Sequence, residues 1–337
     1  MSITGLGPHG ERAAPADKIS LSDAEAAAAR ASRFTVAVVL HTTTSDWSRQ
    51  ELAGIVATLG AYSAAVVDVV DCGFDKQKQN SELLRLAKTG INAVISIPIG
   101  AEGVVEGHRA VSTAGKTLVL LDNVPAGLMP GADYATIVSA DNFNLGEIAA
   151  ELLSPHIPEE GVAGILTYGA DFYATNEREI GFRKWIGRRR QDVTLVRGRF
   201  VTIEEAGSAF DRLLTENDDL DGLFVAWDVP ALNALRAIRA RSRKLAVTTV
   251  DLGNAAAAEL IEGDLLKGIA AQRPYDQGAA AALVTLLSLV GRRPPPWIAA
   301  AGMPVTSEDV LGAYQVVWHA PAPNDLREAR QRRLAPR

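Results

Sequence analysis

The 337-residue chain is too long for one ordinary core, and at roughly 100–200 residues per domain it predicts two lobes. With 47% hydrophobic and 22% charged residues it falls outside the disordered class. A formal net charge of −6 lacks the basic footprint that a phosphate backbone demands, so nucleic acid is not an expected partner.

In chain order, residues 1–33 read as an extended, peripheral arm with one short helix, since Ser22-Asp23-Ala24-Glu25 is a capping pattern ahead of an alanine run. This arm has no apolar signal-peptide core, which leaves two readings: a cytoplasmic protein, or a sequence that starts after a removed signal. From Phe34 onward, apolar runs of strand length alternate with amphipathic segments of helix length, the pattern of βαβ units on a parallel sheet. Strands are expected at 34–40, 64–70, 93–99, 117–121 and 136–140, then at 162–168, 193–196, 222–227, 245–250 and 267–271. Helices are expected near 48–60, 76–88, 102–114, 143–153, 174–189, 203–216, 229–240, 254–261 and 274–290. The two halves read as similar units, so the fold class is α/β, with two successive open sheets whose parallel strands need right-handed crossovers.

Arg188-Arg189-Arg190 closes a predicted helix, where cations suit the negative end of the dipole. Pro294-Pro295-Pro296 breaks the chain, Pro321 and Pro323 mark the end of the folded part, and the charged stretch 325–337 reads as a surface helix or a tail. Apolar stretches such as 278–290 fall short of the roughly 20 residues of a membrane helix. Cys72 is the single cysteine; it excludes an intramolecular disulfide and reads as a core residue.

Open parallel sheets bind ligands beyond the carboxyl ends of their strands. Those positions hold His41, Thr42, Thr43, Thr44, Ser45, Asp46 and Trp47 after the first strand, Asp122 and Asn123 after the fourth, and Trp227, Asp228, Asp251 and Gln272 in the second half. Taken singly, an Asp, Ser, Thr or Asn after a strand reads as a cap on the next helix. Recurring at one edge together with indoles and an amide, the set suits a carbohydrate: carboxylates and amides engage adjacent hydroxyls, and aromatic faces cover C–H surface. A charge-assisted hydrogen bond contributes about 1.5–3 kcal/mol, so two or three carboxylates could supply much of a micromolar affinity.

The chain from Phe34 to about Trp318 resembles the type I periplasmic sugar-binding proteins of ABC importers, the ribose- and galactose-binding kind. The resemblance is carried by TVAVVLHTTTSDW at 35–47, LVLLDN at 118–123, SADN at 139–142, NEREIGF at 176–182, DGLFVAWD at 221–228, TVD at 249–251 and GIAAQ at 268–272. It implies two Rossmann-like lobes joined by three hinge crossovers: 34–138 plus 273–300, and 139–272 plus 301–320, flanked by the 1–33 arm and a 321–337 tail. Hinges are expected at 139–142 and after Gln272.

The resemblance also implies the ligand contacts. Ser45, Trp47 and Ser48 lie in the first-strand loop, Trp47 at an aromatic position and Ser48 in place of a second aromatic. Asp122 matches a carboxylate that grips sugar hydroxyls. Asn123 and Asn176 stand where Arg is common, with Arg178 close enough to exchange with Asn176. Trp227 replaces a frequent Asn, Asp251 and Gln272 match contacts from the second lobe, and His41, Asp46 and Asp228 are further candidates. Ile97 replaces a frequent Asn, so the pocket is less polar and less cationic than a ribose site. That leaves a neutral polyol, a deoxysugar or a furanose, whereas a sugar acid or phosphate would want the missing arginines.

The expected function is a non-enzymatic, monomeric, periplasmic solute-binding subunit without cofactor or metal. It captures a neutral sugar or polyol in the inter-lobe cleft and delivers it to a membrane permease. The alternative is an effector or sensor protein of the same fold; a lac-type repressor would need a helix-turn-helix and a basic patch, which residues 1–33 do not offer. A Rossmann enzyme is set aside, because the GxGxxG of Gly5, Gly7 and Gly10 follows no strand, contains Pro8 and launches no helix. His9, His41, His108, His156 and His319 lack paired ligand spacing. A glycosidase pair would need one carboxyl with a raised pKa.

Overall fold

In the strand TVAVVL, all five residues after Thr35 are apolar and buried, because helices cover both of its faces. A computed structural model describes residues 3–334; the first two residues of the arm and the last three of the tail lie outside the described residues. The elements run β1 (Ala14–Pro15), α1 (Asp23–Ser32), β2 (Thr35–Leu40), α2 (Asp46–Ala61), β3 (Ala65–Asp71), α3 (Lys76–Ala87), β4 (Ala93–Ser96), α4 (Val105–Thr113), β5 (Thr117–Leu121) and β6 (Thr136–Ala140). They continue with α5 (Asn142–Leu153), β7 (Val162–Tyr168), α6 (Tyr173–Arg189), β8 (Thr194–Phe200), α7 (Ala206–Glu216), β9 (Leu220–Val225), α8 (Asp228–Ala240), β10 (Ala246–Val250), α9 (Asn254–Glu262) and β11 (Leu266–Ala271). The chain closes with α10 (Pro274–Leu289), β12 (Trp297–Ala300), β13 (Met303–Val305), α11 (Val310–Trp318) and α12 (Asn324–Leu334).

Two compact units result. The first takes the chain up to Asp141, then Asp171–Ala174 and Pro274–Ala301; the second takes Asn142–Ala170, Thr175–Arg273 and the chain from Gly302 on. Among the described residues the first unit has a seven-stranded sheet ordered β1-β12-β6-β5-β4-β2-β3, and the second a six-stranded sheet ordered β13-β11-β10-β9-β7-β8. All pairings are parallel except β11 with β13. The order β3-β2-β4-β5-β6 of one sheet repeats as β8-β7-β9-β10-β11 in the other, so the halves are the similar units expected from the sequence.

Each unit fastens two helices face to face with glycine. In the first, α2 and α10 approach so closely that a Cβ on Gly54 would collide with the Tyr275 carbonyl, and one on Gly278 with the Glu51 carbonyl. In the second, α5 and α6 repeat the contact through Gly146 and Gly181, against the carbonyls of Arg178 and Phe143.

Two peripheral expectations are corrected. The arm does not stay outside the sheet: Ala14 and Pro15 pair with Ile298 and Ala299 of β12, and Asp141 accepts hydrogen bonds from the backbone N–H groups of Thr4 (2.6 Å) and Gly5 (3.1 Å). The folded part does not end at Pro321: Leu326 of α12 is buried in the second unit's core, and Arg333 donates to the Ile261 carbonyl near the end of α9 (2.6 Å). A stray apolar face and an unsatisfied helix end together suffice to dock this charged helix. Cys72 is buried, which pushes its thiol pKa up to about 12.

Candidate functional site

In the first unit the loop after β2 is stiffened by its own hydroxyls. Thr43 donates to Asp71 at the end of β3 through both N–H (3.2 Å) and Oγ1 (2.6 Å), and the Thr42 and Thr44 hydroxyls bond each other (2.9 Å). Ser45 is the N-cap of α2: its Oγ accepts from the Ser48 N–H (3.1 Å) and bonds the Ser48 hydroxyl (2.8 Å). Both serines, expected to meet a ligand, thus commit their hydroxyls to the helix start. Asp46, in the first turn, is paired with Arg49 (2.5 Å).

His41 and Trp47 stand together, their ring centroids 5.9 Å apart, with Phe74 edge-on to the imidazole at 4.9 Å. Burial lowers the His41 pKa to about 4 against the opposing pull of Asp71, so the ring is neutral at physiological pH. His41 Nδ1 and the indole Nε1 of Trp47 are buried without hydrogen-bond partners.

Asp122 follows β5 directly, 3% exposed, with its backbone in the left-handed region (φ 51°) and its N–H bonded to the Val138 carbonyl (3.0 Å). Asn123 is a bracket: Nδ2 donates to the Pro98 carbonyl (3.2 Å) and Oδ1 accepts from the Tyr173 N–H (3.2 Å). Ile97 is buried in the apolar core, as its side chain requires.

In the second unit Asp251 follows β10 directly and is likewise left-handed (φ 74°). Its Oδ1 accepts from Gln272 Nε2 at 2.5 Å, which joins the ends of β10 and β11. Burial raises the Asp251 pKa, opposed by the Arg178 charge and the Gln272 hydrogen bond. Arg178, 4% exposed, donates from Nε to Asn142 Oδ1 (2.9 Å) and from Nη1 to the Ala226 carbonyl (3.0 Å). Asn176 is half-buried near the start of α6. Trp227 leads into α8, its indole edge-on to Tyr168 (5.3 Å, 89°) and against Phe200 (5.2 Å). Asp228 accepts from the Gly253 N–H (3.0 Å), tying two helix starts together.

Two further residues belong to these edges. Tyr168, at the end of β7, carries the aromatic surface on which Trp227 rests. Glu51 is fully buried on α2 beside Asp122. The spacing held its signal: positions 47, 51, 55 and 59 share one face of α2, and Ile55 and Leu59 are core residues. Each edge therefore offers a left-handed buried aspartate, an indole and amide or acid groups able to donate. Such a set suits a neutral polyhydroxylated molecule. No group of three or more His, Cys, Asp or Glu among the described residues is placed to hold a metal ion. No helix among them is long and apolar enough to cross a membrane.

Comparison with known proteins places this architecture. A family model described as "Periplasmic binding protein domain" matches residues 36–293. The ribose import binding protein RbsB of Bacillus subtilis (strain 168) is 26% identical over 208 residues, which span 62% of this chain and 66% of that relative. Among solved structures, an ABC transporter solute-binding protein from Mycobacterium smegmatis with bound glycerol superposes with a TM-score of 0.76 at 22% identity, covering 86% of this chain and 99% of that one. A solute-binding protein from Agrobacterium vitis bound to α-D-tagatopyranose gives a TM-score of 0.75 at 20% identity, covering 82% and 96%.

Proposed function

The chain belongs to the periplasmic binding protein domain family, and on that premise we propose that it is the solute-binding subunit of an ABC importer for a neutral sugar or polyol. It binds its solute without chemical change and hands it to a membrane permease, and it works outside the cytoplasm as a monomer. Relatives of this chain are named for ribose import or were solved with glycerol or tagatopyranose. All of these solutes are uncharged and rich in hydroxyls.

The observation that carries the reading is the pair of buried aspartates, Asp122 and Asp251, each at the carboxyl edge of its own sheet and each with a left-handed backbone. In this reading both accept hydrogen bonds from hydroxyls of one solute, while Gln272 bonds Asp251 and holds its carboxylate in place. Trp47 and Trp227 supply faces for the carbon skeleton. Ser45, Ser48, Asn123, Asp228 and Arg178 hold the edges in shape, and His41, Asp46 and Asn176 flank them. Solute that engages both aspartates stabilises the state in which its contacts are complete, the linkage on which delivery to a permease depends.

A thermal-shift panel tests the class. D-ribose, D-tagatose, glycerol, erythritol and myo-inositol are set against gluconate and ribose 5-phosphate, with product analysis after incubation. At a hundredfold excess over Kd a true ligand adds about 2.7 kcal/mol of stability. A shift with a neutral solute recovered intact is the expected result. A consistent preference for the anions, or turnover, overturns the proposal.

A further inference from the structure

Glu51 is the one acid on the α2 face that Trp47, Ile55 and Leu59 share. It is 0% exposed, and neither carboxyl oxygen has a hydrogen-bond partner. A core position filled this way costs the fold stability, because a carboxyl taken out of water without partners forfeits its hydration. Leu or Met would fill the same space at no such cost. A residue kept against that gradient points to a use outside folding.

Its surroundings say what the use is. A helix rises 1.5 Å per residue, so Glu51 lies about 6 Å along the axis from Trp47, and helical side chains lean back toward the N-terminus. On α2 that direction is the carboxyl edge of the sheet, where Asp122 stands. Two other buried polar atoms without partners, the Trp47 Nε1 and His41 Nδ1, lie at the start of the same βα element. Of these groups Glu51 is the one whose carboxyl feels the Asp122 charge, and a buried carboxyl left without a partner in a native fold calls for an explanation.

Resting on the solute-binding reading above, we propose that Glu51 is a specificity residue of the first unit's edge, hydrogen-bonding an oxygen of the bound solute next to the hydroxyl that Asp122 accepts. Burial, and then the charge of Asp122, raise its pKa well above 4.5, so it stands as the neutral acid and donates its O–H. Asp122 and Glu51 are thereby complementary. One takes a proton donor from the solute and the other presents one to it, which fits adjacent oxygens of a polyol and disfavours a carboxylate-bearing solute crowded against Asp122.

Titration calorimetry of wild type, Glu51→Gln, Glu51→Leu and Glu51→Met decides the matter, using D-ribose, D-tagatose, glycerol, erythritol and myo-inositol as probes. Gln keeps a donor and an acceptor in the same volume, so binding stays within about threefold of wild type. Leu and Met remove both, and affinity falls about tenfold or more. Ligand-free melting temperatures of the Leu and Met variants stand at or above wild type. Wild-type affinity in either apolar variant overturns the role of Glu51 alone, as does a Gln variant as weak as the Leu one. A wild-type protein that binds none of the probes overturns this proposal together with the solute-binding reading.

Discussion

Asp122 and Asp251 occupy the same place in two different sheets. Each is the first residue after its strand, β5 or β10, the fourth strand counted inward from the β3 or β8 edge, and each has a left-handed backbone (φ 51° and 74°). Asp tolerates that region better than most residues but at a cost on the order of 1 kcal/mol. Strain repeated at the corresponding position of both halves marks a place where carboxylate direction outweighs backbone comfort.

Replacing either aspartate by glycine therefore separates strain from binding. Gly accepts positive φ freely, so Asp122→Gly and Asp251→Gly keep ligand-free stability within about 1 kcal/mol of wild type while solute binding is lost. Urea unfolding alongside titration checks both halves of the statement. A glycine variant that binds normally would show that the carboxylate is there for the turn.

The buried acid and the buried imidazole impose pH dependences of opposite sign. Below 4.5, folded and unfolded chains both carry the Glu51 proton; above it only the unfolded chain ionises, so stability declines as pH rises toward the raised folded value. Glu51→Gln removes that decline: its gain over wild type is present near neutral pH and vanishes near pH ~4. His41 acts the other way. Its pKa is lowered from 6.5 to about 4, so its contribution is complete above 6.5 and is lost as pH falls toward 4. His41→Gln flattens that acid-side loss. Urea midpoints across this range read both effects.

The two glycines of α2 are predicted to respond in opposite directions. Gly54→Ala drives a methyl into the Tyr275 carbonyl of α10 and costs about 2 kcal/mol or more. Gly60→Ala, on the exposed side with open space around it, gains about 0.5–1 kcal/mol from helix propensity. Melting temperatures of the two variants are the measurement, and a shared sign would contradict the helix contact.

The ten principal strands were legible because buried parallel strands are continuous apolar runs, and most ends fell within a few residues of the observed ones. The short strands β12 and β13, four and three residues long, were not. Runs of that length beside proline carry no period. β1 was illegible for a related reason: two residues pair with β12 only because the arm crosses there.

Among the candidate site residues, Asp122, Asp251 and Gln272 stand out by position, each the first residue after its strand, whereas Trp47 lies in the first turn of α2 and Trp227 two residues past β9. Asn123, next to Asp122, has a different task, because its amide brackets Pro98 and Tyr173. The left-handed backbone of the aspartates leaves no trace in composition. Glu51 does not stand out in the sequence because a charged residue on a helix reads as solvent-facing, although its spacing from Trp47, Ile55 and Leu59 puts it inside.

The central claim, that one solute is held by both aspartates, is tested most directly by titration calorimetry of wild type, Asp122→Ala, Asp251→Ala and the double variant with the neutral solute that wild type binds. The account predicts one site, a loss of about 2–4 kcal/mol in each single variant, and no measurable binding in the double variant. Wild-type affinity in both single variants would contradict it.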